Sequence, residues 1–150
     1  MKPRYNLPCN IAQSLNIIGD RWTLLVIHEI FIGHTQFNEM KKGLNGISSN
    51  LLSERLKYLE DEGLVKSELY SDHPPRYRYT LTKSGAELED VFNSLVIWGS
   101  SHLENCYKKL VDSTTGEEVG ITYYNKKTGE LVENISVIPI EHELKKVGDN

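Results

Sequence analysis

N-G-I-S-S-N-L-L-S-E-R-L-K-Y-L-E-D-E-G-L-V-K-S-E-L-Y at residues 45–70, then S-D-H-P-P-R at 71–76 and Y-R-Y-T-L-T at 77–82, decides the fold. The order is a helix with a polar outer face, a strand, a proline-rich tip and a returning strand. Helix followed by hairpin in that order is a winged helix-turn-helix, an α+β architecture. It lays one helix in a DNA major groove and a hairpin beside it.

At 100° per residue, Leu52, Leu56 and Leu59 share one face of the helix, and Asn50, Ser53, Glu54, Lys57 and Asp61 share the opposite one. The leucines pack, which leaves the polar face free to touch a partner. Ser48 or Ser49 caps the helix start and Gly63 ends it. Leu64-Val65 opens a strand running toward Tyr70. Beyond Pro74-Pro75, Tyr77, Tyr79 and Leu81 alternate with Arg76, Arg78 and Thr80, a period of two that sends aromatics inward and arginines outward.

Working outward, a first helix is expected from Pro8 through Ile11, Ala12, Leu15 and Ile18 to Gly19. Asp20 caps a second, which carries Trp22, Leu25, Val26, Glu29 and Ile30 as far as Gly33. Thr35 caps a short third helix with Phe37 and Met40 facing inward, and 43–46 form the turn into the fourth. After the wing, Thr82 or Ser84 caps one long helix that carries Leu88 through Leu103 and ends near Lys109. Its apolar stripe is wider than a lone surface helix needs, and packing on a second subunit with help from the first helix is the natural reading. Packing within the monomer is the alternative.

From Leu110 the composition turns strand-prone and turn-rich. V-D-S-T-T-G-E-E-V at 111–119 and Y-N-K-K-T-G-E-L-V at 124–132 read as two similar turns. Strands are expected at Val119 to Tyr124 and Leu131 to Ile138, with loose residues from Lys145. The chain thus divides into a DNA-binding and dimerisation domain at 1–109 and a small β-hairpin or meander extension at 110–150.

A length of 150 residues supports one ordinary core, and 39% hydrophobic with 25% charged residues is a soluble globular composition without a membrane-crossing run. The start carries no apolar signal segment, which points to a cytoplasmic protein. The net charge of −4 disfavours phosphate binding at first sight. Residues 1–103 hold 11 Lys plus Arg against 12 Asp plus Glu, a balance of −1, whereas 104–150 hold 6 against 9, a balance of −3. The acidic excess lies in the tail, and a local basic surface around Arg21, Lys41, Lys42, Lys57, Arg76 and Arg78 remains available. Five scattered histidines, no C-x-x-C, no H-E-x-x-H and no phosphate-cradling glycine loop imply neither enzyme nor metal site nor cofactor.

The ordered motifs carry a family resemblance: Cys9 before the first helix, I-I-G-D-R-W at 17–22, Q-F-N-E-M at 36–40, G-I-S-S-N-L-L-S-E-R-L at 46–56, L-E-D-E-G-L-V at 59–65, P-P-R-Y-R-Y-T-L-T at 74–82 and W-G at 98–99. Over roughly residues 8–103 the chain resembles the HxlR family of transcriptional regulators, relatives of the MarR group. The resemblance implies a homodimeric repressor or activator acting near its own operon, and a dimer's symmetry calls for an inverted-repeat operator on double-stranded DNA. It also implies an N-terminal cysteine that in some members senses quinones, aldehydes or other oxidants. Four positions depart from the usual pattern: Asp20-Arg21 stands for Gly-Lys, Gln36 for arginine and Arg78 for glutamate.

Ser49, Asn50 and Ser53 have short polar side chains suited to phosphates or base edges, and Asn50 can make the paired contact that reads adenine. Lys57 suits phosphate, and Arg76 at the wing suits a narrow minor groove. With Ser48, Gln36 and Arg78 they form the candidate DNA-contacting set; Arg55 faces the packed side. Cys9 is the candidate redox-sensing residue, since a helix start favours a thiolate; a small buried packing residue is the alternative. Two further functions compete: a small-molecule-responsive regulator with Trp22, Trp98 or Tyr107 lining its pocket, and a winged-helix interaction module that leaves DNA alone.

Overall fold

The computed structural model describes residues 4–140. Six helices and four strands follow in the order α1 (Asn10–Ile18), α2 (Thr23–Phe31), α3 (Phe37–Gly43), α4 (Ser49–Asp61), β1 (Val65–Asp72), β2 (Pro75–Leu81), α5 (Lys83–Ala86), α6 (Glu89–His102), β3 (Tyr123–Tyr124) and β4 (Leu131–Val132). The fold is a winged helix-turn-helix: α3 and α4 are the helix pair, and the antiparallel β1–β2 hairpin is the wing.

The core is apolar and shared by α2, α3, α4 and the base of the wing. Val26, Ile27 and Ile30 from α2 meet Met40 from α3 and Leu52, Leu56 and Leu59 from α4, closed by Leu44, Ile47, Leu64 and Val65. The leucine face read from the sequence is therefore the buried face. Ser48 caps α4, its hydroxyl accepting from the Leu51 amide at 3.1 Å. Asp20 precedes α2 and accepts from the Trp22 and Thr23 amides at 2.8 and 3.0 Å. Before α3 the capping residue is Gln36 where the sequence suggested Thr35. The Glu39 carboxylate reaches back to both the Thr35 and Gln36 amides, at 3.0 and 3.1 Å.

Three expectations need correction. The first helix begins at Asn10, with Pro8 outside it and Cys9 in extended conformation at the cap position. The expected long helix from 82 to 109 is two helices, α5 capped by Thr82, and α6 ending at His102. Glu87 and Leu88 separate the two, and within α5 Gly85 sits so close to Leu64 that an added Cβ would lie 2.1 Å from the Leu64 carbonyl oxygen. After α6, the Ser100 hydroxyl lies 2.8 Å from both the Val96 and Lys108 carbonyls and donates its one proton to either, the Lys108 bond tying residues 103–108 back to the helix end.

Among the described residues of the extension only Tyr123–Tyr124 and Leu131–Val132 pair, with one further bridge between Val111 and Glu118. Strands of the expected length need partners that these described residues do not supply. The duplicated motif does build two like turns. Asp112 Oδ1 accepts from the Thr114 amide at 2.7 Å, and Asn125 Oδ1 accepts from the Lys127 amide at 2.9 Å. Gly116 and Gly129 both take φ of 75° to close them. The segment from Lys145 lies outside the described residues.

Candidate nucleic-acid interface

The polar face of α4 projects Ser49, Asn50, Ser53 and Lys57 into solvent. Beside it stands the wing, held at an angle by contacts that the sequence does not announce. The Tyr79 amide donates to the Thr35 carbonyl at 2.8 Å, and Gln36 forms a bridge with Arg78, so Thr35-Gln36 acts as a short third strand alongside β2. At the base, the hydroxyls of Thr82 and Ser84 both donate to the Gly63 carbonyl, at 2.6 and 3.1 Å.

Between α3, α4 and the wing lies a groove of about 370 Å³. Gln36, Asn38, Ser53 and Arg76 line it, over aromatic surfaces from Phe37, Tyr70, Tyr77 and Tyr79. No carboxylate lines it, and Arg76 supplies its positive charge, which suits a sugar-phosphate strand. The structure thus brings Gln36, Ser53 and Arg76 together, and sets Ser49, Asn50 and Lys57 on the adjoining exposed face. Ser48 is already engaged as the α4 cap. The Arg78 guanidinium lies 5.5 Å from the centre of the Tyr70 ring, and its cross-strand neighbour is Glu68. Cys9 is elsewhere, exposed at the start of α1. Sequence reasoning missed Asn38 and Tyr70; the signal for Asn38 was its place beside Gln36 at the opening of α3.

Arg55 anchors the presenting helix. Its guanidinium meets Asp20 Oδ2 and Glu54 Oε1, each at 2.9 Å, and lies over the Tyr58 ring at 5.3 Å. Burial works against the Asp20 charge. Hydrogen bonds from Thr23 and the Trp22 and Thr23 amides, with the Arg55 charge, outweigh that and hold its carboxyl below the usual range. The cap of α2 is thereby tied to α4, and the Tyr58 hydroxyl adds a bond to the Asn16 carbonyl of α1 at 3.2 Å.

Arg76→Ala is expected to weaken DNA binding by a similar factor on every sequence. It should also flatten the slope of log affinity against log salt by about 0.9 per wing, the share of one phosphate each. An unchanged slope in a two-salt titration would rule out a phosphate contact at Arg76.

A helix-turn-helix with an exposed polar face on its second helix and a cation-bearing wing defines a DNA-binding transcriptional regulator, not an enzyme. The sequence profile of the HxlR-like helix-turn-helix family matches residues 17–107, and the chain belongs to that family. The HTH-type transcriptional regulator Rv3095 of Mycobacterium tuberculosis is 33% identical over 133 residues, covering 87% of this chain and 84% of the relative. The crystal structure of PA1607, described as a putative transcription factor, superposes with a TM-score of 0.71 at 25% identity, over 87% of this chain and 96% of that one. Coverage of that extent has to run past residue 109 well into the extension. The redox regulator HypR in its oxidised form superposes with a TM-score of 0.59 at 30% identity, over 65% of this chain and all of its own. Among the described residues no helix is long and apolar enough to cross a membrane.

Proposed function

We propose that the chain acts as a homodimer on an inverted-repeat operator, each α4 entering a major groove and each wing lying against the flanking backbone. The observation that carries this reading is the convergence of Gln36, Ser53 and Arg76 on one carboxylate-free groove beside the exposed face of α4. Ser49, Asn50 and Lys57 make the helix contacts, Arg76 the wing contact, and Ser48 and Arg78 hold the contacting elements in place. The dimer is supported by apolar side chains that the single chain leaves in water: Ile11 and Leu15 on α1, and Val91, Leu95 and Trp98 on α6. These three α6 residues fall on one stripe at helical spacing. Residues 110–150 form an extension outside this DNA-binding unit.

Selection of genomic fragments by the purified reduced protein at two salt concentrations tests the reading. A palindrome with half-sites about one helical turn apart, or a multiple of it, is expected. Weak binding that vanishes with salt, with no enriched sequence, would favour the protein-interaction module.

A second reading concerns regulation through Cys9. In the single chain Cys9 is exposed at the α1 cap, which supports a sulfur accessible to electrophiles over a buried packing residue. The likeness to HypR, a redox regulator by its printed description, supports the same direction. Diamide or a quinone is expected to release the operator from wild type and not from Cys9→Ser. Equal release from both would remove Cys9 as the sensor.

A further inference from the structure

Among the described residues, Glu29 is the one charged side chain that is buried. It stands in the last turn of α2, 7% exposed, among the apolar packing residues Val26, Ile27 and Ile30. None of the DNA contacts named above uses it. Its carboxylate bonds to Nδ1 of His34, a half-buried residue in the loop between α2 and α3. An ionised carboxylate only accepts, which places the proton of this bond on Nδ1. The same carboxylate also lies against the far end of α3. A Cβ on Gly43, the last residue of that helix, would stand 2.7 Å from Glu29 Cδ and 2.9 Å from Oε1. Gly43 has no positive φ, so room for the carboxylate, and not backbone freedom, is what calls for glycine there.

Both points that Glu29 touches lead into DNA-facing structure. His34 runs directly into Thr35-Gln36, the short strand on which β2 rests through the Tyr79 amide and the Gln36–Arg78 bridge. Gly43 opens the turn that delivers α4. The groove beside α4 takes Arg76 from the wing and Ser53 from α4, so its two sides depend on the two segments that meet at this one carboxylate. A buried ion is a poor device where stability alone is at stake, since an apolar side chain of similar volume is often neutral or stabilising in its place. What the carboxylate adds is direction: leucine would fill the space without holding the His34 ring.

We propose that Glu29 is a positioning residue for operator binding. Through His34 and Gly43 it fixes the spacing between the wing and α4 at which Arg76 and the α4 face reach the same half-site. The inference rests on the proposed operator binding and names the residue that sets its geometry without touching DNA. Loss of the bond frees the Thr35-Gln36 strand to shift with the wing, while the apolar core around Glu29 stays packed. Affinity and folding stability therefore respond differently to changes at this point.

The test measures thermal midpoints beside titrations of the DNA fragment that wild type selects, with the full chain throughout. Expected for Glu29→Leu is a midpoint at or above that of wild type, with affinity lower by about fivefold or more. Glu29→Gln, whose amide oxygen still accepts from Nδ1, should bind within about twofold of wild type. His34→Ala should weaken binding as Glu29→Leu does, and the two changes together should cost no more than either alone. Gly43→Ala, which displaces the carboxylate, should lower affinity in wild type and add nothing to His34→Ala. If Glu29→Leu does not fold, His34→Ala at its half-buried position decides the matter. Wild-type affinity in Glu29→Leu or His34→Ala, additive losses in the double variant, or losses that track a lowered midpoint would each overturn this inference alone. A wild type that binds no DNA fails the operator reading and overturns this inference with it.

Discussion

Leu56→Ala is expected to cost about 2–5 kcal/mol of folding stability, the range for deleting a fully buried leucine, and to lower the thermal midpoint by roughly 10 °C. Leu56 is 1% exposed and lies on the seam where α4 meets α2 and the wing base. The loss combines removed apolar contacts with a cavity that capped, crossed helices cannot close. Lys57, the next residue, points into solvent. Lys57→Ala should leave the midpoint within about 0.5 kcal/mol of wild type, as surface changes do, while weakening DNA binding through a lost phosphate contact. Thermal melts beside DNA titrations separate the two. Similar melts for both variants would mean that α4 does not present one packed and one contacting face.

Gly85→Val is expected to destabilise by about 2–4 kcal/mol, through overpacking where neither side can yield. A Cβ at Gly85 would stand 2.1 Å from the Leu64 carbonyl oxygen. That oxygen already accepts from the Thr82 amide at 3.0 Å, and the Gly85 amide donates to the Thr82 hydroxyl at 3.2 Å. Moving either strand of this contact pulls the base of the wing away from Gly63. DNA affinity should fall with stability, because the wing carries Arg76. Gly120→Val is the control: nothing lies within 4 Å of its Cβ position, and its φ is not positive. Urea midpoints measured for both should differ clearly, and coincident midpoints would place the Gly85 contact among those the fold relaxes without cost.

The helix α4 and the wing were legible because their patterns are local and repeated. Leucines recur every three or four residues, serine stands at the cap, glycine stands at the stop, and aromatics alternate with arginines in the return strand. The twin turns were legible for a similar reason, since an Asp or Asn followed by Thr-Gly encodes its own hydrogen bonds. Thr35-Gln36 as a third strand was not legible, because two extended residues have no period and their partner, Tyr79, lies far along the chain. The break between α5 and α6 was hidden as well. Residues 83–103 keep helical spacing, and nothing in that spacing marks Glu87 and Leu88, which lie between the two helices.

The same division holds for the sites. Sequence alone determined the residue types of the candidate DNA-facing surface, the family of the chain and the exposed order of Ser49, Asn50, Ser53 and Lys57, since helical geometry projects these outward whatever else packs nearby. Tertiary structure decided which of them converge. Gln36, Ser53 and Arg76 meet only because the wing folds back across α3 and α4. It also decided that Cys9 is exposed, and that the buried Glu29 carboxylate lies against both His34 and Gly43. No periodicity in the sequence records a distance that only packing creates.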